Sequence, residues 1–327
     1  MAVARRGADM NLKRLAATDI QVPELALGTW QYEGGVEPLR LGIELGASFI
    51  DTAECYGTES VVGEAIRGIR DRVFLASKIS PRHFRYKDVI RAAECSLKQL
   101  KTHYLDLYQL HWPNYAVPLS ETMGAMEHLV EMGKIRFIGV SNFTVAELRA
   151  ARDLLSSARI VSNQVRYSLI NRSPEDDILE YCEANQISVL AYSPFGTNLR
   201  NLWKADIEDC LGQVGASVGK SRAQVALNWN VFRPSVITIF KAANPEHVRE
   251  NCGASGWSLT PEQYRLLSER VAAHRSRNWG ERFARRCVQC VLQYAGRNLG
   301  APTALDCEEG MDDGLAAPKE LSTDRDG

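Results

Sequence analysis

The chain has 327 residues and a mass of 36.4 kDa, enough for one large domain of about 250 residues with additions or for two average domains. Its 45% hydrophobic and 24% charged residues are typical of a globular protein that buries its core without metals or disulfides. The formal net charge of -1 argues against a polyanion-binding surface, so we expect no nucleic-acid partner.

The N-terminal segment lacks the pattern of a targeting sequence. Residues 1–11 contain Arg5 and Arg6 with no apolar region after them, and we expect these residues to be flexible. No run of about 18 apolar residues occurs, so we predict no membrane partner and a cytoplasmic location. The next segment, Leu12–Val22, is predicted to form a β-hairpin.

Eight short apolar runs alternate with amphipathic stretches over residues 12–274, which is the pattern of repeated β-α units in a parallel sheet. The predicted strands are Leu25–Trp30, Ser48–Thr52, Val73–Lys78, Leu105–His111, Arg136–Ser141, Ile160–Val165, Ser188–Tyr192 and Val236–Ile239. The predicted helices cover roughly residues 35–46, 58–69, 86–100, 120–132, 145–155, 174–185, 221–231 and 245–252. Eight alternations with short connections predict a closed (β/α)8 TIM barrel of the α/β class. The competing open, doubly wound sheet would normally carry a Gly-x-Gly-x-x-Gly turn after its first strand, and the sequence has none there.

Start signals precede several of these helices. Thr144 and Glu147 have the spacing of a capping box, and Ser173 is followed by Pro174 at a first-turn position. The longest interruption, residues 196–220, contains Trp203 and suits either a lid or a helical insertion.

The C-terminal extension, residues 275–327, differs in composition from the barrel. Residues 275–300 hold six arginines and one glutamate, whereas residues 301–327 hold eight acidic and two basic residues. Few large apolar residues follow residue 300, so we predict an irregular extension that is disordered from there on. Cys287 and Cys290 form a Cys-x-x-Cys pair, which we interpret as two thiols without a role because a metal would need two further ligands. We interpret most of the eight cysteines as reduced.

Polar residues at the predicted strand ends are the first candidates for function, because active sites of parallel barrels lie where strands end and β-to-α loops begin. Asp51, Lys78 and His111 lie at the ends of the second, third and fourth strands, and Tyr56 follows Asp51 after a short loop. Each residue alone is more often a helix cap, a surface group or a core group. Four ionisable groups at the same end of one barrel instead indicate a catalytic site. In such a site Asp51 would pair with a buried Lys78.

This cluster can deliver a proton to a carbonyl group. A tyrosine phenol has a pKa of about 10, and a nearby ammonium favours the phenolate and lowers that value. With Asp51 holding Lys78, Tyr56 is the candidate proton donor and His111 is the residue that orients the carbonyl oxygen. The hydride must come from a cofactor, because no side chain supplies one.

Other barrel chemistries fit less well. A catalytic metal needs about three ligands, and the six histidines show no pair at ligand spacing on neighbouring strand ends, so we predict no metal. A glycosidase needs a pair of carboxylates, and the only obvious candidates, Asp51 and Glu54, are too close in sequence to form a convincing pair. No Gly-x-Ser-x-Gly turn is present, and position implies no histidine partner for Cys55.

An ordered series of eight motifs resembles the aldo-keto reductase superfamily over residues 25–254. The motifs are Gly28-Thr29-Trp30, Asp51-Thr-Ala-Glu-Cys-Tyr56-Gly57, Ala-Ser-Lys78, Leu-Asp-Leu-Tyr-Gln-Leu-His111-Trp112-Pro113, Gly-Val-Ser141-Asn142-Phe143, Asn163-Gln164-Val165 with Tyr167, Ala-Tyr192-Ser193-Pro194 and Pro245-Glu-His-Val-Arg-Glu250-Asn251. The resemblance implies a barrel that binds NADPH, or less often NADH, across its C-terminal face and reduces carbonyl compounds.

The same resemblance implies residue roles. The catalytic residues would be Asp51, Tyr56, Lys78 and His111, together called the tetrad. The substrate pocket would be lined by Trp30 and Trp112 with Tyr56 and His111. The nicotinamide carboxamide would be bound by Ser141, Asn142 and Gln164, with Tyr192 stacked on the ring. The full cofactor set would be Gly28, Thr29, Asp51, Ser141, Asn142, Gln164, Tyr192, Ser193, Pro194, Phe195, Lys241, His247, Glu250 and Asn251.

The cofactor-phosphate region departs from the family pattern. Many NADPH-dependent members have Ile-Pro-Lys-Ser after strand eight, whereas this chain has Ile239-Phe240-Lys241-Ala242. His247 stands where those members have an arginine. Lys241 can still pair with a 2′-phosphate, and the helix that begins near Pro245 attracts anions at its N-terminus. We therefore predict NADPH as cofactor with only modest discrimination against NADH.

The sequence thus predicts an NAD(P)H-dependent enzyme that reduces aldehydes or ketones, with a small-molecule carbonyl as its partner. The alternative is a cofactor-binding regulatory or sensor subunit with little turnover, which the tetrad does not exclude. Neither the individual carbonyl substrate nor the oligomeric state follows from the sequence.

Overall fold

The strands form one antiparallel hairpin and one closed parallel barrel in the computed structural model, which describes residues 10–196 and 198–273. The hairpin pairs β1 (Leu12–Arg14) with β2 (Gln21–Pro23). The barrel strands follow one another in chain order and the last pairs with the first: β3 (Leu25–Gly28), β4 (Phe49–Asp51), β5 (Phe74–Ile79), β6 (Leu105–Leu110), β7 (Ile135–Ser141), β8 (Ile160–Arg166), β9 (Ser188–Tyr192) and β10 (Val236–Phe240). The predicted eight-stranded barrel with an N-terminal hairpin is confirmed.

The helices surround this barrel and bury their apolar faces against the outward side chains of the strands. They are α1 (Val36–Glu44), α2 (Glu59–Ile66), α3 (Tyr86–Gln99), α4 (Leu119–Glu131), α5 (Val145–Asp153), α6 (Ile178–Ala184), α7 (Leu199–Ala205), α8 (Cys210–Val218), α9 (Arg222–Val231), α10 (Pro245–Cys252) and α11 (Pro261–Arg270). The predicted capping box forms at the start of α5, where Thr144 and Glu147 exchange side-chain and backbone hydrogen bonds. No helix within the described ranges is both long enough and apolar enough to cross a bilayer.

The barrel interior is apolar at its lower end and polar at its upper end. Side chains alternate along a strand, so Phe49 and Phe74 point inward two and four residues before the ionisable ends of β4 and β5. Their rings meet edge to face with centroids 4.7 Å apart. Leu15 and Val22 of the hairpin segment join this inner cluster. Because apolar side chains fill the lower end of the barrel, the polar residues lie at its upper end.

The hairpin is fixed to the barrel by one lysine. The Lys13 ammonium donates to the backbone carbonyls of Val231, Arg233 and Val236 at 2.5, 2.8 and 2.7 Å. Three acceptors match the three protons of an ammonium group. This contact joins the hairpin to the end of α9 and the start of β10.

Of the two predictions for the interruption after β9, a helical insertion agrees with residues 198–220, which include α7 and α8. Leu202 of α7 and Leu211 of α8 are fully buried, which ties both helices to the outer core. The last described helix, α11, was not predicted.

The predicted helix start at Pro174 was wrong. A short 3-10 helix covers Ser173–Asp176, and α6 begins only at Ile178. The Glu175 carboxylate accepts hydrogen bonds from Tyr167 and Arg172, which holds this turn separately from α6.

Residues 1–9 and 274–327 lie outside the described residues, whereas the described Asn11 hydrogen-bonds Ser255 and Glu24. The predictions of flexibility for residues 1–11, of an irregular extension disordered after residue 300, and of roleless thiols at Cys287 and Cys290 therefore stay predictions, as do the domain boundaries at residues 12 and 274.

One buried carboxylate organises the connection between α5 and β8. Glu127 of α4 accepts the backbone N–H groups of Ser156, Ser157 and Ala158 at 2.7–2.9 Å, and the hydroxyls of both serines. The hydrogen bonds from the Ala158 and Ser157 backbone lower the pKa of Glu127 from its usual 4.5 to about 2.

Because the folded-state pKa of Glu127 is depressed, its stabilisation is complete above about pH 4.5 and is lost as the pH falls toward about 2. Glu127→Gln is expected to lower the free energy of unfolding at neutral pH by about 1–3 kcal/mol, since the amide presents two donors to three N–H groups. Urea unfolding of both proteins at several pH values measures this. The difference in free energy of unfolding between wild type and Glu127→Gln should shrink in acid. A difference that does not change with pH would contradict the stabilising role of the ionised Glu127 carboxylate.

Candidate active site

Four side chains converge at the upper end of the barrel. Asp51 ends β4, Lys78 lies near the end of β5, and His111 directly follows β6. Tyr56 lies in a 3-10 helix, Glu54–Tyr56, in the loop after β4. The Tyr56 hydroxyl lies 3.4 Å from Lys78 Nζ and 3.3 Å from His111 Nε2. The structure thus brings together the four residues that the sequence singled out.

Lys78 and Asp51 form a buried ion pair beneath the phenol. Lys78 is fully buried and Asp51 is 3% exposed. The ammonium donates to Asp51 Oδ1 at 2.5 Å and to the backbone carbonyl of Thr52 at 2.9 Å. Its third neighbour is the Tyr56 hydroxyl, so the donors of the ammonium are used within the site. A buried ion pair needs such complete hydrogen bonding to offset its desolvation.

The His111 imidazole is neutral at neutral pH. Burial of the ring, together with the positive charge of Lys78, holds the pKa of His111 well below its usual 6.5. Nδ1 of this ring lies 3.5 Å from the Cys55 thiol. Cys55 therefore has a histidine partner, which its position in the sequence did not imply. The ring meets the Tyr56 ring edge to face, and it lies at 24° to the Trp112 ring with a centroid distance of 6.4 Å.

The residues proposed for the nicotinamide lie beside this cluster. Ser141 Oγ donates to the backbone carbonyl of Gln164 at 2.9 Å, and Asn142 Nδ2 donates to the His111 carbonyl at 3.2 Å. Tyr192, at the end of β9, donates its hydroxyl to Asn142 Oδ1 at 3.0 Å. Asn142 has a φ of 63°, a left-handed conformation that asparagine tolerates better than most residues. These contacts join β6, β7, β8 and β9 at one rim.

The first barrel strand brings backbone close to the site. A Cβ at Gly28 would lie 2.7 Å from the Ile239 side chain, so this position requires glycine. Thr29 donates through its N–H and its hydroxyl to the Asp51 carbonyl, at 3.1 and 3.2 Å. Trp30 is 52% exposed and Trp112 is half-buried, which places two indoles at the rim.

The residues proposed for the cofactor phosphates lie at the end of β10 and on α10. Lys241 and His247 are exposed, and Lys241 Nζ donates to the Gln31 carbonyl at 3.2 Å. Glu250 accepts the Ser221 hydroxyl at 2.7 Å, while Asn251 is buried. Ser193, Pro194 and Phe195 follow β9, and Ser193 has a φ of 55°. This region presents the Lys241 ammonium and the His247 imidazole on the surface.

Sequence reasoning missed residues beneath the tetrad. Gln109, fully buried on β6, donates to Asp51 Oδ2 at 3.1 Å. Glu59, buried at the start of α2, accepts the Ser77 hydroxyl at 2.6 Å, and burial raises its pKa to about 7. No local sequence pattern indicated Gln109, because its place beside Lys78 depends on the pairing of β5 with β6. Among the described residues, no group of three histidine, cysteine or carboxylate side chains could hold a metal ion.

Comparison with known proteins gives a consistent result. The model of the aldo/keto reductase family matches residues 24–271. The methylglyoxal reductase YeaE of Escherichia coli is 39% identical over 268 residues, covering 78% of this chain and 93% of the relative. The aldo-keto reductase YhdN of Bacillus subtilis is 31% identical over 310 residues, covering 79% and 93%.

Solved structures agree with the sequence relatives. An aldo/keto reductase from Klebsiella pneumoniae in complex with NADP and acetate superposes with a TM-score of 0.74 at 38% identity, covering 80% of this chain and 96% of that one. The matched residues contain the whole barrel and every residue proposed for its rim. The chain is therefore a member of the aldo/keto reductase family.

Proposed function

We propose that this protein is an enzyme that reduces aldehydes or ketones to alcohols with NADPH, and that Tyr56 is its general acid. One observation carries the proposal. The Tyr56 hydroxyl lies between a buried ammonium and a neutral imidazole, at 3.4 and 3.3 Å, at the open end of the barrel. Nearby positive charge makes a phenol a better proton donor at neutral pH.

The hydrogen bonds direct the proton of Tyr56. The Lys78 ammonium has only donors, so the phenol oxygen accepts from it. When His111 carries its proton on Nε2, the phenol accepts from the imidazole as well, which leaves the phenol proton to point toward a bound carbonyl. When a carbonyl binds, the Nε2–H can turn from the phenol to donate to the carbonyl oxygen instead, orienting it and stabilising charge that develops on it. Asp51 pairs with the Lys78 ammonium at 2.5 Å and holds it in position.

The side chains at the rim fit a nicotinamide cofactor. Ser141, Asn142 and Gln164 offer the hydroxyl and amide groups that a carboxamide can pair with, and the half-exposed Tyr192 ring offers a flat surface. Exposed Lys241 and His247 suit the phosphate end. Bound reduced cofactor supplies the hydride that no side chain can provide.

The cofactor preference should be modest. Lys241 gives NADPH one charge-assisted contact with the 2′-phosphate, whereas His247 lacks the forked donors of an arginine. We expect kcat/KM with NADPH to exceed that with NADH by about 10-fold, the scale of one such hydrogen bond. Lys241→Met should lower kcat/KM for NADPH and leave that for NADH within about twofold. Equal or better turnover of the wild-type protein with NADH would refute this preference.

The relative named methylglyoxal reductase and the indoles of Trp30 and Trp112 support small carbonyls, including 2-oxoaldehydes, as the substrate class. The decisive assay mixes the protein with NADPH and a panel of small aldehydes, ketones and 2-oxoaldehydes, and follows the absorbance of the reduced nicotinamide. Turnover with at least one member is expected. Tight cofactor retention without turnover on any member would instead support a sensor subunit. A cytoplasmic location and the absence of a nucleic-acid partner stay predictions.

A further inference from the structure

We infer that Gln109 is a positioning residue that couples the acid–base residues to the nicotinamide-binding residue Gln164, an inference that rests on the proposed function. Gln109 lies on β6 and is fully buried. Its Nε2 donates to Asp51 Oδ2 at 3.1 Å. Gln164, on β8 and 3% exposed, donates to the same oxygen at 2.8 Å.

The Asp51 carboxylate determines how both amides are oriented. Asp51 Oδ1 accepts the Lys78 ammonium, and an ionised carboxylate has acceptors only. Either amide turned by half a rotation would place its carbonyl oxygen against Asp51 Oδ2 and leave two acceptors facing each other. Both glutamines must therefore present their NH2 groups to Asp51.

The two amides are also joined to each other. Gln164 Nε2 lies 3.3 Å from Gln109 Oε1 as well as 2.8 Å from Asp51 Oδ2. An amide nitrogen has two protons, so these contacts use both donors of Gln164. Only Gln164 Oε1 is then left to pair with a ligand. Gln164 can thus accept from the NH2 group of a nicotinamide carboxamide but cannot donate to its carbonyl.

The barrel provides room for this arrangement at one position. Gly139 on β7 pairs with Gln109 on β6. A Cβ at Gly139 would lie 2.8 Å from Gln109 Cγ and 2.4 Å from Ser162 Oγ. The missing side chain on β7 lets Gln109 extend toward Gln164 on β8. The result is one buried hydrogen-bonded chain from Gln164 through Gln109 and Asp51 to Lys78.

The test replaces the amide of Gln109 without changing its size. Gln109→Met keeps the length and volume but removes the donor and the acceptor. Gln109→Glu keeps an acceptor and places a second carboxylate against Asp51. We expect kcat to fall about 10-fold in Gln109→Met and further in Gln109→Glu, with the dissociation constant for NADP+ raised in both. The KM for the carbonyl substrate should change by less than about twofold, because neither Asp51 nor Gln164 is proposed to bind it.

Asn228→Leu is the matched control. Asn228 is a buried amide on α9 that donates to the carbonyls of Ala254 and Trp257, away from the tetrad. It should lose stability and keep kcat and cofactor affinity, with the folded fraction checked by circular dichroism.

Wild-type kcat and NADP+ affinity in Gln109→Met, or equal losses in Asn228→Leu, would overturn the inference about Gln109. A wild-type protein that turns over no carbonyl would refute the proposed function instead. Measurement of NADP+ affinity in Gln109→Met would then still decide whether Gln109 supports the nicotinamide site.

Discussion

Tyr56→Phe is expected to lower kcat by at least about 100-fold, the usual contribution of a positioned general acid. The substitution removes one oxygen, the atom that lies 3.4 Å from Lys78 Nζ and 3.3 Å from His111 Nε2. The phenyl ring keeps its edge-to-face contact with the His111 ring and its place near the Lys78 ammonium. The loss should therefore appear in proton delivery and leave the fold intact.

The measurement is steady-state reduction of a small aldehyde or 2-oxoaldehyde by wild type and Tyr56→Phe, with NADP+ binding followed separately. The dissociation constant for NADP+ should stay within about twofold, because the phenol is not among the proposed cofactor contacts. Tyr104→Phe is a suitable control, since its ring packs on Arg70 far from the tetrad. Near-normal turnover in Tyr56→Phe would remove Tyr56 from the mechanism.

Lys78→Met should reduce both activity and stability. Activity should fall by at least about 100-fold, since the phenol loses the positive charge that favours its ionised form. The Asp51 carboxylate would also stay buried without its counter-ion, and breaking a buried pair in this way costs about 3–5 kcal/mol. We expect the lower end of that range, because Gln109 and Gln164 still donate to Asp51 Oδ2.

A double variant separates the two effects. Asp51→Asn combined with Lys78→Met removes the unpaired carboxylate, so it should recover most of the lost free energy of unfolding. Its kcat should stay as low as that of Lys78→Met, because the ammonium is still missing. Urea unfolding and steady-state kinetics on all four proteins complete the cycle. Activity restored together with stability would show that Lys78 acts through the fold alone.

The ends of the second, third and fourth barrel strands were predictable because largely apolar runs of five to seven residues stop there at polar groups. Asp51, Lys78 and His111 were located in this way, and a parallel barrel brings all strand ends to one face. The capping box at Thr144 was equally local, since it depends on two residues three positions apart. Residues 196–220 could not be assigned, since the alternatives of a lid and a helical insertion differ in tertiary packing. The predicted helix start at Pro174 was wrong for a related reason. The turn there is held by contacts of Glu175 with Tyr167 and Arg172, which a local sequence pattern does not reveal.

The sequence by itself determined the repeated strand and helix units, the barrel and the four ionisable residues at its rim, since each depends on local periodicity or on the ends of apolar runs. Beyond the Asp51–Lys78 pair, only the tertiary structure decided which groups those residues contact. It paired Cys55 with His111 and placed Gln109 and Gln164 on one carboxylate oxygen. Gln109 and Gln164 lie on β6 and β8, so their meeting depends on strand register, barrel closure and the space left by Gly139. Such contacts are set by the three-dimensional packing of distant segments, which local sequence patterns do not specify.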